Sequence, residues 1–362
     1  MLAGECSQGG VQAPLTAKKT KDMKPVSFSG ITKKIMALAV LLTATLSFSS
    51  CDRLHEDLQP CPQGVRLRFV YDYNMEFANA FPSQVDCLTL LIYDKEGRYV
   101  DSRTAFRPET ADENWRMVID MPAGQYRFLA YGGMACDDAS FSFVTEPAQT
   151  AFADLRVQLD QAFLTSPIGK PLHHLYYGDL EFEVPQAGNG TDYAEATVYM
   201  MKDTNDIRVL LANLNNTPID EADFDFSLIT DNTLLNSDNN IVHTTETTYC
   251  PWSRGNLGAG VLPTGEEATF AYAELSTSRL VKGNPTTLLI TRKKDGKEVV
   301  RMPLINLLLL MKSDRYPDMD AQEFLDRESR WNVTFLIAGD DVWMRATIVV
   351  NDWIVRINNA EF

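Results

Sequence analysis

Apolar and polar positions alternate along most of this chain, the period-2 signature of half-buried strands. Val65, Leu67, Phe69, Tyr71 and Tyr73 alternate with Arg66, Arg68 and Asp72 and predict a strand. The run from Val85 to Tyr93 is apolar on both faces, as a strand inside a sandwich would be. Asp94-Lys95-Glu96-Gly97 reads as a hairpin turn into Tyr99 and Val100. Trp115 to Met121, Pro122-Ala123-Gly124 and Gln125 to Tyr131 form a second strand–turn–strand unit. Weaker strands are expected around Leu155–Leu159 and Leu180–Val184, followed by Ala194–Met201 and Asp206–Leu214. The same style continues in Phe224–Ile229, Ala268–Leu275, Thr286–Arg292, Trp331–Ile337 and Val342–Val350. Only Pro303–Lys312 and Asp320–Glu328 read as helices. The fold class is therefore all-β, with two consecutive β-sandwiches and one or two short helices.

One long apolar stretch breaks the pattern. Ile35 to Phe48 carries no charge, follows Lys33 and Lys34, and ends in LSFSSC at Cys51. A basic segment, an apolar segment and small residues before the cleavage point are a secretory signal's anatomy. Here the cleavage point is a cysteine, so Cys51 is expected to become the first mature residue and to carry acyl chains. The apolar core, about 14 residues, is short of the ~20 that span a bilayer. Residues 1–50 read as a leader and removed signal peptide, with Met23 a plausible true start, and residues 51–62 as a polar tether containing Pro60 and Pro62. QAGNGTD, from Gln186 to Asp192, is the best linker-like cluster, so the domains are expected at 63–195 and 196–362.

Charge narrows the partners. The chain carries a formal net charge of −16, and the leader holds six Lys against Glu5 and Asp22, so processing takes it to about −20. No face could neutralise a phosphate backbone, which excludes nucleic acid. A polybasic membrane contact is excluded for the same reason, leaving the acyl chains as the attachment. Four cysteines follow Cys51: Cys61, Cys87, Cys136 and Cys250. An oxidising compartment permits disulfides, and four cysteines allow three complete pairings between which the sequence does not choose.

Candidate chemistry is sparse. His173-His174 has no Glu at metal-ligand spacing, and there is no G-x-S-x-G elbow. The glycines from Gly255 to Gly260 lack the Lys-Ser/Thr ending of a phosphate loop and read as a flexible turn. Glu221, Asp223 and Asp225 alternate along a strand-like run and could form a glycosidase pair, although a solvated strand face is the simpler reading. No enzyme activity, metal, cofactor or small-molecule substrate is expected.

Several longer segments carry a resemblance: VRLRFVYDYNMEFANAF (Val65–Phe81), LLIYDKEGRYV (Leu90–Val100), PAGQYRFLAYGG (Pro122–Gly133), YMMKDTNDIRVLLANL (Tyr199–Leu214), PLINLLLL (Pro303–Leu310), DAQEFLDRESRWNVTFLI (Asp320–Ile337) and NDWIVR (Asn351–Arg356). With the lipid Cys51 and Cys61-Pro62, they make the chain resemble the fimbrillin-associated anchor lipoproteins of Bacteroides-type bacteria. The resemblance implies two tandem transthyretin-like sandwiches and surface exposure on the outer membrane through lipid. It also implies contact with fimbrillin stalk subunits, attachment of the base of a fimbrium, and a limit on fibre length. The physical means would be β-strand addition, in which an open edge accepts a neighbour's strand. The alternation Trp353, Val355, Ile357 is either the last strand of the second sandwich, which we favour, or a short donor strand for a partner. The competing reading is a surface glycan-binding lipoprotein, for which Trp115, Trp252 and Trp343 would be the aromatic platform.

Overall fold

In the computed structural model, residues 63–165, 169–186, 193–213, 217–261, 267–337, 347–350 and 353–356 are described. The first sheet holds β1 (Gly64–Val70), β2 (Cys87–Asp94), β3 (Tyr99–Phe106), β4 (Met117–Asp120), β5 (Gly124–Gly132), β8 (Tyr176–Val184) and β9 (Tyr193–Lys202), in the order β3-β2-β5-β8-β9-β1-β4. The turn into β3 forms as its residues dictate. Gly97 takes φ +75°, while the Asp94 carboxylate accepts from the Glu96 and Arg98 amides at 3.0 and 2.8 Å.

A small sheet links the two halves of the chain. It joins β6 (Phe141–Phe143) and β7 (Arg156–Leu159) to β12 (Leu234–Asn236), which comes from beyond residue 196. The rest of the second half is a six-stranded and a four-stranded sheet. The first contains β10 (Asn205–Asn213), β14 (Ser253–Val261), β15 (Glu267–Thr277), β18 (Arg330–Ile337), β19 (Thr347–Val350) and β20 (Trp353–Arg356), ordered β14-β15-β10-β18-β19-β20. The second is β13 (Thr247–Tyr249), β11 (Phe224–Thr230), β16 (Thr287–Arg292) and β17 (Lys297–Pro303), in that order. Helices Leu304–Arg315 and Ala321–Arg327 lie within a residue or a few of the expected ones. The shorter one is capped by Asp320, whose carboxylate accepts from the Gln322 amide at 2.7 Å.

The double-sided apolarity of the Val85–Tyr93 run has a specific cause. Leu88, Leu90 and Ile92 of β2 face a core shared with Val65, Leu67, Phe128, Ala130 and Met200. The intervening Leu91 and Tyr93 face a second core with Leu129, Tyr131 and Tyr177. That second core continues through Val157 and Leu235 into Val209, Leu288, Trp331 and Phe335. Strand β2, with Phe128–Gly132 of β5 and Tyr176–Gly178 of β8, is thus a middle layer buried on both faces, and β2 reads as a continuous apolar run, whereas β8 alternates with acids from Asp179 to Glu183. The division expected near residue 195 falls inside β9. That strand pairs with β8 through Tyr176↔Lys202, Tyr177↔Met201 and Gly178↔Met200, and the sheets change only at Asp203-Thr204.

That changeover is a buried polar joint. Asp203 is fully buried, its amide donates to the Leu175 carbonyl at 2.8 Å, and its carboxylate accepts from Asn239 at 2.8 Å. Arg279 reaches Asp203 at 4.0 Å and forks onto Asp326 at 3.1 and 3.2 Å, and Gln322 donates to Asp326 at 2.8 Å. Trp331 Nε1 donates to Asn205 Oδ1 at 3.0 Å, and Tyr249 OH donates to Asn232 at 2.8 Å. Burial pushes the Asp203 carboxyl up to about 7 and the neighbouring Lys202 ammonium down to about 8. A second tie runs from Arg327, whose guanidinium lies 4.2 Å over the Tyr73 ring and 4.5 Å over that of Phe77.

Candidate functional site

The sequence-predicted site residues do not converge on one place. Cys51, Cys61 and Ile357, with Trp343, lie outside the described residues. Cys87 and Cys136 are joined in a disulfide that ties the start of β2 to the loop after β5, whereas Cys250 is a free, exposed thiol. Trp353 and Val355 sit in β20, which runs antiparallel to β19 with Val350↔Trp353 and Ile348↔Val355, so the strand is taken up by the chain's own sheet. Trp115 precedes β4 and stacks one face on Phe69 at 5.7 Å, and both Trp115 and Trp252 are half-buried.

Two concavities carry polar and titratable side chains. One of about 640 Å³ is lined by His173, His174, Asp86, Asp137 and Asp138. Its imidazoles are engaged by carboxylates, His173 with Asp138 at 3.0 Å and His174 with Asp206 at 3.4 Å. Among the described residues no group of three or more His, Cys, Asp or Glu could hold a metal ion. The other, about 380 Å³, lies beside the Asp94–Gly97 turn and is lined by Gln125, Arg127, Phe152 and Glu181. Arg127 is held between Asp179 at 2.9 Å, Asp238 at 2.8 Å and the Phe152 ring at 3.8 Å. Its charge is therefore already neutralised.

The glycosidase pair does not form. Glu221 and Asp223 belong to a 3-10 turn and only Asp225 enters β11. Asp220 caps that turn, its carboxylate accepting from the Ala222 amide at 3.0 Å, and local hydrogen bonds from Asn256 and the backbone hold it below the usual carboxylate range. Arg254 lies 3.4 Å from Glu221 and 3.7 Å from Asp225, and Lys293 lies 3.5 Å from Asp225. These acids form a charged rim beside β14.

The sheet edges differ sharply in how they are protected. An edge strand exposes unpaired main-chain N–H and C=O groups, and proteins blunt it with charge, proline or shortness. Edge β17 carries Lys297, Glu298 and Arg301, with the last two ion-paired at 2.7 Å, and edge β3 carries Asp101 and Arg103. Edges β4 and β20 have four residues each, and β6, β12 and β13 three. Edge β14, SRGNLGAGV, has nine residues with Arg254 its only charge, and is the longest edge among the described residues.

This strand is the segment that the sequence presented as a glycine turn. It forms because β15 supplies a full partner, in register from Ser253↔Glu274 to Gly258↔Thr269, with a bulge only between Gly258 and Gly260. Tyr272 lies over Gly255, where an added Cβ would meet its ring at 3.0 Å, so an aromatic neighbour supplies the packing the glycine lacks. At Gly258 an added Cβ would meet nothing within 4 Å. Leu257 stays 43% exposed beside half-buried Phe270.

Comparison with known proteins places this architecture. The profile of the family described as fimbrillin-A associated anchor proteins Mfa1 and Mfa2 matches residues 58–359. The chain belongs to that family. It is a family of structural fimbrial proteins and not of enzymes. The chain is 22% identical over 338 residues to the minor fimbrium anchoring subunit Mfa2 of Porphyromonas gingivalis, covering 91% of this chain and 97% of that protein. Among solved structures it is similar to a candidate adhesin from Bacteroides thetaiotaomicron, with TM-score 0.78 and 49% identity over 83% of this chain and all of that one. A candidate polysaccharide-binding protein from the same organism matches with TM-score 0.69 and 28% identity over 82% of this chain and 98% of that one. The fold of the P. gingivalis fimbrial anchor Mfa2 is similar too, with TM-score 0.62 at 19% identity, over 82% of this chain and 99% of that one.

Proposed function

We propose that this protein is the lipid-anchored base of a fimbrium. In this reading Cys51 is acylated after removal of residues 1–50 and residues 51–62 form the tether. The two sandwiches behind them hold the first fimbrial subunit at the outer membrane and, by ending assembly there, limit fibre length. The observation that carries it is the family match across residues 58–359, taken with the cysteine that ends the apolar leader. A single acyl chain holds a protein marginally and two or more hold it stably, so a multiply acylated Cys51 suits an anchor under tension. No helix among the described residues is long and apolar enough to cross a membrane. Contact with the subunit is by strand addition, the mode that sheet edges offer.

Replacing Cys51 with Ala tests the anchor. The expected result is an intact folded protein released to the medium together with fibres. Fibres retained at wild-type length in cells that lack this protein would sink the reading.

A glycan-binding reading draws on the relative described as a polysaccharide binder. The stacking of Trp115 on Phe69 weighs against it, because one face of that half-buried ring is already covered.

A further inference from the structure

The geometry points to β14 as the edge that accepts a partner's strand. This deepens the anchor reading and rests on it. The occupant is an extended segment of a fimbrial subunit, for three reasons.

First, a row of unpaired backbone donors and acceptors is complementary to another β-strand and to no other common ligand surface. Among the described residues β14 pairs on one side only, with β15. From Ser253 to Gly258 its pairing is regular, so about six residues are presented before the bulge.

Second, the devices that close the other edges are missing. The strand has no Lys, no Pro and a single Arg, and that Arg is turned toward Glu221 and Asp225. Gly258, where an added Cβ would meet nothing within 4 Å, leaves its backbone bare and lets a neighbouring chain approach closely.

Third, the two faces beside the edge differ in chemistry. Arg254 and Asn256 pair in register with buried Ala273 and Ala271, so they lie on the core-facing side, beside Asp220, Glu221, Asp223 and Asp225. Four carboxylates against Arg254 and Lys293 leave that side negative. Ser253, Gly255 and Leu257 lie on the opposite side with Tyr272 and Phe270. An accepted strand would therefore carry basic or polar residues toward the acidic rim and apolar residues alternating with them toward Leu257 and Tyr272.

The test uses full-length protein in cells that assemble fimbriae, with a benzophenone side chain introduced at position 258 and, separately, at Val100 on β3 and within β20. We expect light to join position 258 to a fimbrial subunit, with mass spectrometry mapping the adduct to one extended segment of that subunit. The double variant Leu257→Lys, Gly258→Lys should release at least tenfold more fibre into the medium at unchanged surface amount and melting temperature of the anchor. Val100→Lys, which adds a charge to the already charged β3 edge, should change nothing. Adducts to a subunit from Val100 or β20 but not from 258 would overturn the assignment of β14 while leaving the anchor reading in place. Adducts to no fimbrial subunit from any edge, with fibres retained in the absence of the protein, would overturn both.

Discussion

Two polar regions of this protein are built on opposite plans. At the joint around Asp203, polar side chains are buried and bound to one another: Asp203 to Asn239, Arg279 to Asp326, Asp326 to Gln322. Along β14 the polar groups are main-chain atoms at an open edge, and the side chains that would crowd them are largely absent. The joint is satisfied at Asp326, which takes hydrogen bonds from Arg279 and Gln322, but Asp203 Oδ2 is buried without a hydrogen-bond partner, in keeping with a carboxyl whose proton is held up to about pH 7. An edge can stay unfinished because water satisfies it until a strand arrives. The joint fixes two halves of one chain, whereas the edge is free to receive a second chain.

Removing a partner at the joint should have the largest effect. Asp326→Ala leaves the Arg279 guanidinium buried beside a single carboxylate, and loss of about 3–5 kcal/mol is expected from the urea midpoint. A change under 1 kcal/mol would mean that the joint is wetter than its burial implies. Next comes the shared core. Leu129→Ala, on the β5 face turned toward the second half, should cost about 3 kcal/mol and weaken protection of β18 amides in hydrogen exchange. Phe128→Ala, one residue away on the other face, should cost a similar amount while loosening mainly β1 and β2. Equal loss of protection in both halves from either substitution would erase the distinction between the cores.

The joint should also respond to pH, in two opposite directions. Asp203 has a folded-state pKa raised from 3.8 to about 7, so the folded protein holds a proton that the unfolded chain has lost, and stability falls as pH rises between about 4 and 7. Lys202 has a folded-state pKa lowered from 10.5 to about 8, so its contribution is lost as pH falls and stability recovers between about 8 and 10.5. A stability minimum between these windows is expected in urea titrations, with Asp203→Asn flattening the acid side and Lys202→Met the alkaline side. A flat wild-type profile would contradict it. The smallest stability effect belongs to the edge. Leu257→Lys with Gly258→Lys should stay within about 0.5 kcal/mol of wild type, since one side chain is already exposed and the other position meets nothing. A large loss there would mean that the edge is part of the folded core.

Much of the fold was legible because strand periodicity is local. The alternation in Val65–Phe69, the Asp94–Gly97 turn and the helix started by Asp320 are each specified by a few neighbouring residues. The candidate site was far less legible. β14 read as a turn because glycine is disfavoured in isolated strands, and what overrides that preference is β15 with Tyr272, some seventeen residues away in sequence. The acids at 221–225 read as a strand face, and only the folded chain sets them around Arg254. Among the cysteines the pairing of Cys87 with Cys136 required the path of the chain from β2 through the end of β5.

The sequence by itself determined the all-β class, the order of most strands along the chain, the acidic charge and the uncharged apolar stretch from Ile35 to Phe48, because each is written in composition or short-range pattern. The tertiary structure alone decided that β2, β5 and β8 lie between two cores, that Asp203 is buried against Arg279, and that β14 is left as the long open edge. Those features depend on which strands become neighbours, and pairing between residues far apart in the chain is set by the packing of the whole and not by any segment's own propensity.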